Sequence, residues 1–467
     1  MAKVAIVGGG VAGVSTALIL SQMDADISLF EMNSSLVSGP PFCHLHTGGN
    51  LYPDITNKER IQLLKESIEF LKFYPYTIDY RPTVITFPKR YEKSVKDFIP
   101  ILEMLKKEYE NLVKKDTSNK VLGEVKDYYQ LFYREDLEKL KNLQPKDKPK
   151  TIQDWLIPVA KYVNLDTLQF PIIVVQEFGL NMFRLSAGAN ILLNKKDNVN
   201  LYLNTKVENI KRDNDKFIVE FNGKKEKFDY LINAAGFNSG TIDDMLGFKK
   251  QRLVEFKAAY VTKWDIDIKF PEIIFHGKRG SDKGMGQFTP YPNNYFQLHG
   301  MTKKATLFNN GLAKTDSNSS QPKLDTAFLD KIYKGWSQSE VELRTKEAIK
   351  HLEEFIPKFA KEAKVAAKPL FGAQQIPGCN IELRAAEVEF EKNYARCEIV
   401  KVSSALTMAK AIAKELHKLG LIKNYKENIS KCQEDINLQE LKKLSCQIAK
   451  SRGYPEVMGN VVNEMVQ

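Results

Sequence analysis

Several stretches of this 467-residue chain bring together side chains and backbone freedom suited to chemistry. The first is Gly8-Gly9-Gly10-Val11-Ala12-Gly13, with Glu31 following 18 residues after Gly13. Glycines so spaced between an apolar run and a helix can cradle a pyrophosphate. Gly8 permits a tight turn, Gly10 lets the backbone approach the phosphates, and Gly13 allows close helix–strand packing. The N–H groups and partial positive charge at a helix start favour an anion there. A carboxylate at Glu31 can accept both ribose hydroxyls and repel a 2′-phosphate, and Met32 and Asn33 extend the same edge. The second stretch, Ser38 to Tyr52, sets His44 and His46-Thr47-Gly48-Gly49 among glycines and small polar residues, a composition suited to touching a ligand. Imidazole titrates near neutrality, so His46 can serve as a base or a ligand contact. The third pairs a strand from Val207 with the turn Ala234-Ala235-Gly236. The fourth carries Arg384, Arg396 and Lys401 ahead of Ser403 and Ser404. A guanidinium grips both oxygens of a carboxylate, so an arginine here fits a small carboxylate-bearing substrate. Cys/His spacing of the zinc-binding kind is absent, and no metal is expected.

The elements that must position these residues follow from periodicity. Val4 to Val7 reads as a strand, Ala17, Leu18 and Leu20 as a helix face, and Ile27 to Phe30 as a second strand, together a βαβ unit. Ile61, Leu64, Ile68 and Leu71 recur at helical spacing between 57 and 76, and 81–88 reads as a strand between prolines. Helices are predicted over 93–115 and 155–163. Across 176–189 a helical register puts Glu177, Asn181 and Arg184 on one side. A strand over 199–204, a hairpin through Asp213-Asn214-Asp215, a turn at Asn222-Gly223 and a buried strand over 228–233 follow. From 252 to 307 short alternating segments (254–261, 272–275, 295–299) predict antiparallel sheet, with His276 and His299 as lesser candidates to face a ligand. Residues 331–364 return to helix. After Gly420 comes a polar helical tail whose Leu441, Leu444 and Ile448 form a stripe for packing or for a membrane surface.

Composition narrows the partners. The net charge of +11 comes from scattered lysines and not from a basic block interleaved with aromatics. That favours acidic substrates or an anionic membrane surface over sequence-specific nucleic acid. Five cysteines with no CxxC suggest a reducing compartment. The expected location is the cytoplasm, free or peripheral on the inner face of the membrane. Neither a secretory leader nor a transmembrane span is expected.

The glycine finger ending in Glu31, followed by His46-Thr47-Gly48-Gly49, resembles the D-amino-acid-oxidase-like superfamily of FAD-dependent oxidoreductases, which have a glutathione-reductase-type Rossmann fold. In dimethylglycine and sarcosine dehydrogenases a similar His-Ala-Ala-Gly stretch carries the flavin, sometimes covalently. His46 matches that histidine, but Pro40-Pro41-Phe42-Cys43 departs from the small polar residues that precede it in the family, so non-covalent FAD is expected. The resemblance implies that the Val207 backbone contacts adenine and that Ala235 and Gly236 approach the cofactor. It implies that 368–378 is a strand returning toward the flavin. It also implies that Lys401-Val402-Ser403-Ser404, in place of a Gly-rich turn, stabilises reduced flavin, with Arg384 or Arg396 (Arg184 third) binding the substrate carboxylate.

The implied fold is α/β: a Rossmann-type FAD-binding domain with an antiparallel β-sheet substrate domain and a helical C-terminal tail. The FAD-binding domain is assembled from 1–90, 166–250 and 366–420, with a helical insertion at 91–165, the substrate domain at 251–365 and the tail at 421–467. The implied activity is oxidation of a small amino or hydroxy acid by hydride transfer to flavin N5, electrons passing to oxygen or a quinone. A malate:quinone oxidoreductase-like membrane-associated dehydrogenase, an NAD-dependent dehydrogenase and a flavin-bearing tRNA-modifying enzyme are the alternatives. One finger and no CxxC argue against a second nucleotide domain or a dithiol relay. Nothing in the sequence sets the oligomeric state.

Overall fold

Val4 to Val7 are apolar on both faces, as a strand covered from both sides must be. In the computed structural model, which describes residues 1–39, 44–48, 55–381, 383, 387–427 and 436–464, they lie in β1 (Ala2–Val7), inside a six-stranded sheet. On one side β2 (Ala25–Phe30) pairs in parallel, from Ala2↔Ala25 to Val7↔Phe30. On the other the strand Tyr230–Asn233 pairs in parallel, from Val4↔Tyr230 to Val7↔Asn233. Val199–Tyr202 extends the sheet beyond β2, and Tyr394–Glu398 extends it beyond Tyr230–Asn233. The antiparallel strand Glu387–Glu391 closes that edge.

Helix α1 (Val11–Leu20) joins β1 to β2 and is buried from Ala12 onward. It packs against the helix Ala405–Lys418, which turns Leu406, Ala409, Ile412 and Leu416 inward. The opposite face of the sheet is covered by a three-stranded antiparallel layer, Val207–Asp213, Lys216–Phe221 and Lys224–Phe228. Its Ile210, Phe217, Phe221 and Phe228 meet Ala5, Val7 and Phe30.

The second large sheet has ten strands among the described residues. Its main path runs Leu312–Lys314, Arg252–Lys263, Tyr295–Gly300, Gly286–Tyr291, Glu272–Phe275, Thr83–Pro88, Leu168–Val175, Tyr129–Phe132. All neighbours are antiparallel except Glu272–Phe275 with Thr83–Pro88. An aromatic core of Trp264, Phe270, Phe288, Phe296 and Phe359 fills one side.

Three sequence expectations change here. Thr83–Pro88 and Leu168–Val175 belong to this sheet and not to the nucleotide-binding layer, and the stretch expected as a helical insertion contributes the edge strand Tyr129–Phe132. Leu370–Pro377, expected in the closing part of the FAD-binding domain, pairs along Arg252–Lys263 from Arg252↔Pro377 to Ala259↔Leu370 and so belongs to the second sheet, while its Gln375 bonds the Cys397 carbonyl oxygen of the first. Short apolar runs state that a strand is buried, not which sheet buries it. Finally, the helix expected across 176–189 begins only at Met182, where Asn181 caps it by accepting from the N–H groups of Phe183 and Arg184. Glu177 therefore lies outside it and shares no helix face with Asn181 and Arg184.

Helix α2 (Asn57–Phe73) starts at a capping box in which Thr56 and Glu59 bond each other's backbone N–H. Leu64, Ile68 and Leu71 point inward from it, as their spacing predicts. The tail helix Leu438–Ser451 buries Leu441, Ile448 and Ala449 against the helix Met182–Asn194, so its stripe is a packing face. No helix among the described residues is long and apolar enough to cross a membrane.

Candidate active site

The glycines do three different things. Gly8 sits at φ +107°, and a Cβ there would come within 2.3 Å of the Ala234 carbonyl oxygen. Only glycine holds that turn cheaply. A Cβ on Gly13 would lie 1.9 Å from the Gly8 carbonyl oxygen, so α1 can seat itself on the turn only without a side chain. Gly10 caps α1 with no side-chain bond to the first turn, and a Cβ there would meet nothing within 4 Å. The first-turn N–H groups at Val11, Ala12 and Gly13 thus start a helix with no side-chain cap, beside open space at Gly10.

Glu31 ends β2 as expected but is more committed than its sequence position suggests. Its carboxylate accepts from Gly9 N (2.8 Å), Asn33 N (2.8 Å) and Asn33 Nδ2 (2.7 Å). A carboxylate offers about four acceptor positions, so there is room for one ribose hydroxyl and not two. Burial pushes this carboxyl up, against the bonds from Asn33 and Gly9. Met32 is exposed. The chain after Val199–Tyr202 runs alongside, with Asn204 N bonded to Asn33 O and Thr205 N to Glu31 O, and leads into the buried Val207. At the other side of the turn Ala234 N bonds Val7 O, Ala235 N takes Asn233 Oδ1, and Gly236 adopts φ +58°. The expected nucleotide-binding segments therefore converge around one glycine turn.

One partner of this edge was not legible in the sequence. Arg452, on the tail helix, bonds Ser35 Oγ, Ser186 Oγ and the carbonyl oxygens of Leu36 and Val37. Burial brings its guanidinium down to about 10. A lone arginine 421 positions after Glu31 gives no local signal of that pairing.

The histidine loop lies against the second sheet. His44 forms an isolated bridge with Gly179, and Leu45 N bonds Phe178 O. Tyr128 Oη bonds Thr47 O at 2.6 Å, and Ser67 Oγ bonds His46 O. Gly48, at φ +104°, leaves no room for a Cβ beside Leu105. Behind this loop is a buried ionic chain. Asp79 Oδ2 lies 3.3 Å from Arg81 Nε, Arg81 Nη1 2.6 Å from Glu272 Oε2, and Glu272 Oε1 2.6 Å from His44 Nδ1. Gln287 also donates to Glu272. The other ring nitrogen, His44 Nε2, is 3.4 Å from Glu177 Oε2, and the His44 and His46 rings meet edge to face at 4.7 Å. Burial pushes the Glu272 carboxyl up, but His44 and Arg81 together pull it far below the ordinary carboxylate range. Arg81, Glu272 and Gln287 were not predicted. The available signal was a charged or amide residue inside an otherwise apolar strand, as in Glu272-Ile273-Ile274-Phe275. His44, His46 and Glu177 also bring one donor atom each within 4.8 Å of one another, a grouping that Cys/His spacing does not reveal because Glu177 is distant in sequence.

Other predicted residues fall elsewhere. Arg396 is fully buried, with its guanidinium on Asp243 (2.6 Å) and Glu389 (2.7 Å), so it braces the sheet edge and does not face a substrate. Arg184 pairs with Glu464 at 2.9 Å. Arg384 lies outside the described residues, as do Cys43 and Gly49. Lys401 precedes a turn, Val402–Ser404, that leads into the helix Ala405–Lys418. Ser403 and Ser404 are buried there, and Ser404 Oγ bonds Glu66. His276 is stacked on Phe87 (4.5 Å, 9°) beside Tyr91 and Phe98, and burial brings it down to about 3. It is a packing residue. His299 is buried beside Gln297 and is brought down to about 4.

No family model matches the sequence, and no curated protein is similar to it at the level of sequence. Solved structures are similar in fold. L-amino acid deaminase from Proteus vulgaris superposes with a TM-score of 0.58 at 11% identity, covering 90% of this chain and 94% of that one. L-alpha-glycerophosphate oxidase from Mycoplasma pneumoniae, with FAD bound, gives 0.54 at 17% identity over 92% and 98%. The chain shares the fold of these solved oxidase and deaminase structures. Glycine oxidase from Geobacillus kaustophilus, at 0.54 and 12% identity over 90% and 95%, has it too. The residues present fit FAD: the open space at Gly10 would admit a pyrophosphate, the uncapped start of α1 would supply donors, and Glu31 keeps acceptor capacity for a ribose.

Proposed function

We propose that this chain is an FAD-dependent oxidoreductase that oxidises a small amino or hydroxy acid. The observation that carries this is the glycine turn, where Gly8 and Gly13 are closed by backbone contacts while Gly10 opens on space at an uncapped helix start. Gly10 to Gly13 and Glu31 would hold the pyrophosphate and one ribose, with Asn33, Val207, Ala235 and Gly236 around them. Bound there, FAD supplies the hydride acceptor, and oxygen or a quinone takes the electrons afterwards. His46 takes the substrate proton, and its loop is fixed by Ser67 and Tyr128. Of the three candidate arginines the substrate carboxylate is assigned to Arg384, because Arg184 and Arg396 are each paired with carboxylates of the protein. Lys401 and the helix start after it would stabilise negative charge on the bound cofactor.

Two measurements test this. The purified protein, supplied with FAD during expression, should be yellow, and anaerobic addition of amino and hydroxy acids should bleach it with one class of acid. Colourless protein that neither takes up FAD nor shows saturable flavin binding would overturn the reading, as would nicotinamide reduction by the same substrates.

A further inference from the structure

His44, His46 and Glu177 come from two segments that the backbone ties together. His44 bridges to Gly179, and Leu45 N bonds Phe178 O, so the histidine loop runs beside 177–179 in a fixed register. Ser67 holds the His46 carbonyl oxygen, and Tyr128 holds that of Thr47. One nitrogen of each ring and one Glu177 oxygen thereby lie within 4.8 Å of one another. His44 and Glu177 are buried and His46 only partly so, which puts the way in on the His46 side.

Two details set this group apart from an ordinary ion pair. The first is the separation of His44 Nε2 from Glu177 Oε2, 3.4 Å. A charge-assisted hydrogen bond between such groups closes to about 2.7–2.9 Å. Two ligands on one tetrahedral zinc, with bonds of about 2.0–2.2 Å, stand about 3.3–3.5 Å apart. The second is the support behind His44. Glu272 Oε1 lies 2.6 Å from Nδ1 and is itself held by Arg81 and Gln287. A neutral ring that donates from Nδ1 to a fixed carboxylate carries its lone pair on Nε2, the atom turned to Glu177. A carboxylate behind the ring is the usual device that orients a ligating imidazole and makes it more basic.

We propose that His44, His46 and Glu177 form a zinc-binding site with Glu272 as its outer carboxylate, and that an ion held there stops turnover by occupying the lone pair of His46. Two imidazoles and one carboxylate suit a zinc-like divalent ion, whereas magnesium and calcium take more ligands and mostly oxygens. Three protein donors leave the fourth tetrahedral position open. A neutral imidazole has one basic nitrogen, so a ring bonded to the ion has none left for a substrate proton. This second half rests on His46 being the base in the reading above; the site itself does not.

Cobalt reports such a site directly, because a tetrahedral ion shows visible bands that the hydrated octahedral ion scarcely has. Full-length protein with its cofactor is stripped with chelator and titrated with Co²⁺, and the difference spectrum is followed. The tetrahedral bands should reach an endpoint at one ion per chain and disappear when Zn²⁺ is added. Glu177→Gln and His46→Asn, which each remove a ligand, should weaken binding at least about a hundredfold. Glu272→Gln, which removes only the outer carboxylate, should weaken it about tenfold to a hundredfold. Zn²⁺ should inhibit wild-type turnover and chelator should restore it. In Glu177→Gln the same inhibition should need at least about a hundredfold more Zn²⁺.

Absence of tetrahedral bands in the wild type would overturn the site, and that result needs no folded variant. Bands that persist unchanged in folded Glu177→Gln would overturn it as well. Binding of one ion that leaves turnover untouched would overturn the inhibition through His46. Colourless protein that takes up cobalt as described would sink the flavin reading and leave the metal site standing, and yellow, active protein without the bands would do the reverse.

Discussion

Replacing Gly10 by valine should separate cofactor binding from folding, while replacing Gly8 by alanine should not. Gly10 lies at φ −68° and ψ −178°, which any residue adopts, and a Cβ there meets nothing within 4 Å. Valine is a poorer helix cap than glycine, so Gly10→Val should cost about 1 kcal/mol in the absence of flavin. Its branched side chain occupies the space where the backbone must approach the pyrophosphate. Forcing it aside costs about 1–3 kcal/mol, a tenfold to hundredfold weaker FAD affinity. At Gly8 the balance differs. An alanine at φ +107° pays backbone strain of about 1–2 kcal/mol, and its Cβ 2.3 Å from the Ala234 oxygen adds about 1–3 kcal/mol more. Gly8→Ala should therefore lose roughly 2–5 kcal/mol with or without FAD. Urea unfolding of flavin-free protein reads the first quantity, and quenching of flavin fluorescence on titration reads the second. If Gly10→Val binds FAD within about threefold of wild type, the cradle has been put in the wrong place. If flavin-free Gly8→Ala is as stable as wild type, the turn is not closed as described.

Arg396→Met should lower stability by about 1.5–3 kcal/mol, because Asp243 loses its charge-assisted bonds to Arg396 but is still held by Arg252 and the Tyr394 hydroxyl, and urea midpoints will show this. A normal midpoint with a raised KM would return Arg396 to substrate binding. His276 and His299, held near 3 and 4 by burial, bind fewer protons folded than unfolded below pH 6.5. Their contribution is therefore complete above pH 6.5 and is lost as pH falls toward those values, about 2 kcal/mol each by pH 5. His276→Phe, which keeps the stack on Phe87, should flatten the decline in stability between pH 7 and 5, and an unchanged slope would count against a neutral buried His276. Acid precipitation should release the flavin into the supernatant; colour kept in the wild-type pellet and lost in His46→Ala would show a covalent bond instead.

The βαβ unit was legible because its signal is local: strand, glycines, helix and acid fall within 31 residues, and the backbone they require is close to unique. The ionic chain behind the histidine loop was not, because Asp79, Arg81, Glu177, Glu272 and Gln287 come from segments up to 208 positions apart. Each alone is an ordinary polar residue, and only the closure of the second sheet brings them together. Arg396 misled for the opposite reason. Its position pointed to substrate, but Asp243, 153 residues earlier, takes its charge inside the fold. Charged residues inside apolar strands are the sequence signal for such a buried ionic chain.

The nucleotide-binding sheet is also ordered unlike the chain that makes it. β1 has neighbours ending at residue 30 on one side and beginning at residue 230 on the other, and the strand after that begins at 394. A ribosome adding roughly 5–20 residues per second delivers these pieces many seconds apart. For that interval the emerging N-terminal unit carries β1 with an unpaired edge, and an apolar parallel edge of that kind is prone to pair with whatever strand is near. The tail helix that fastens Leu36 and Val37 through Arg452 emerges later still. The nascent chain therefore cannot complete the pocket while it is being made, and its survival in the cell should depend on chaperones that shield β1 until residue 230 and its neighbours arrive.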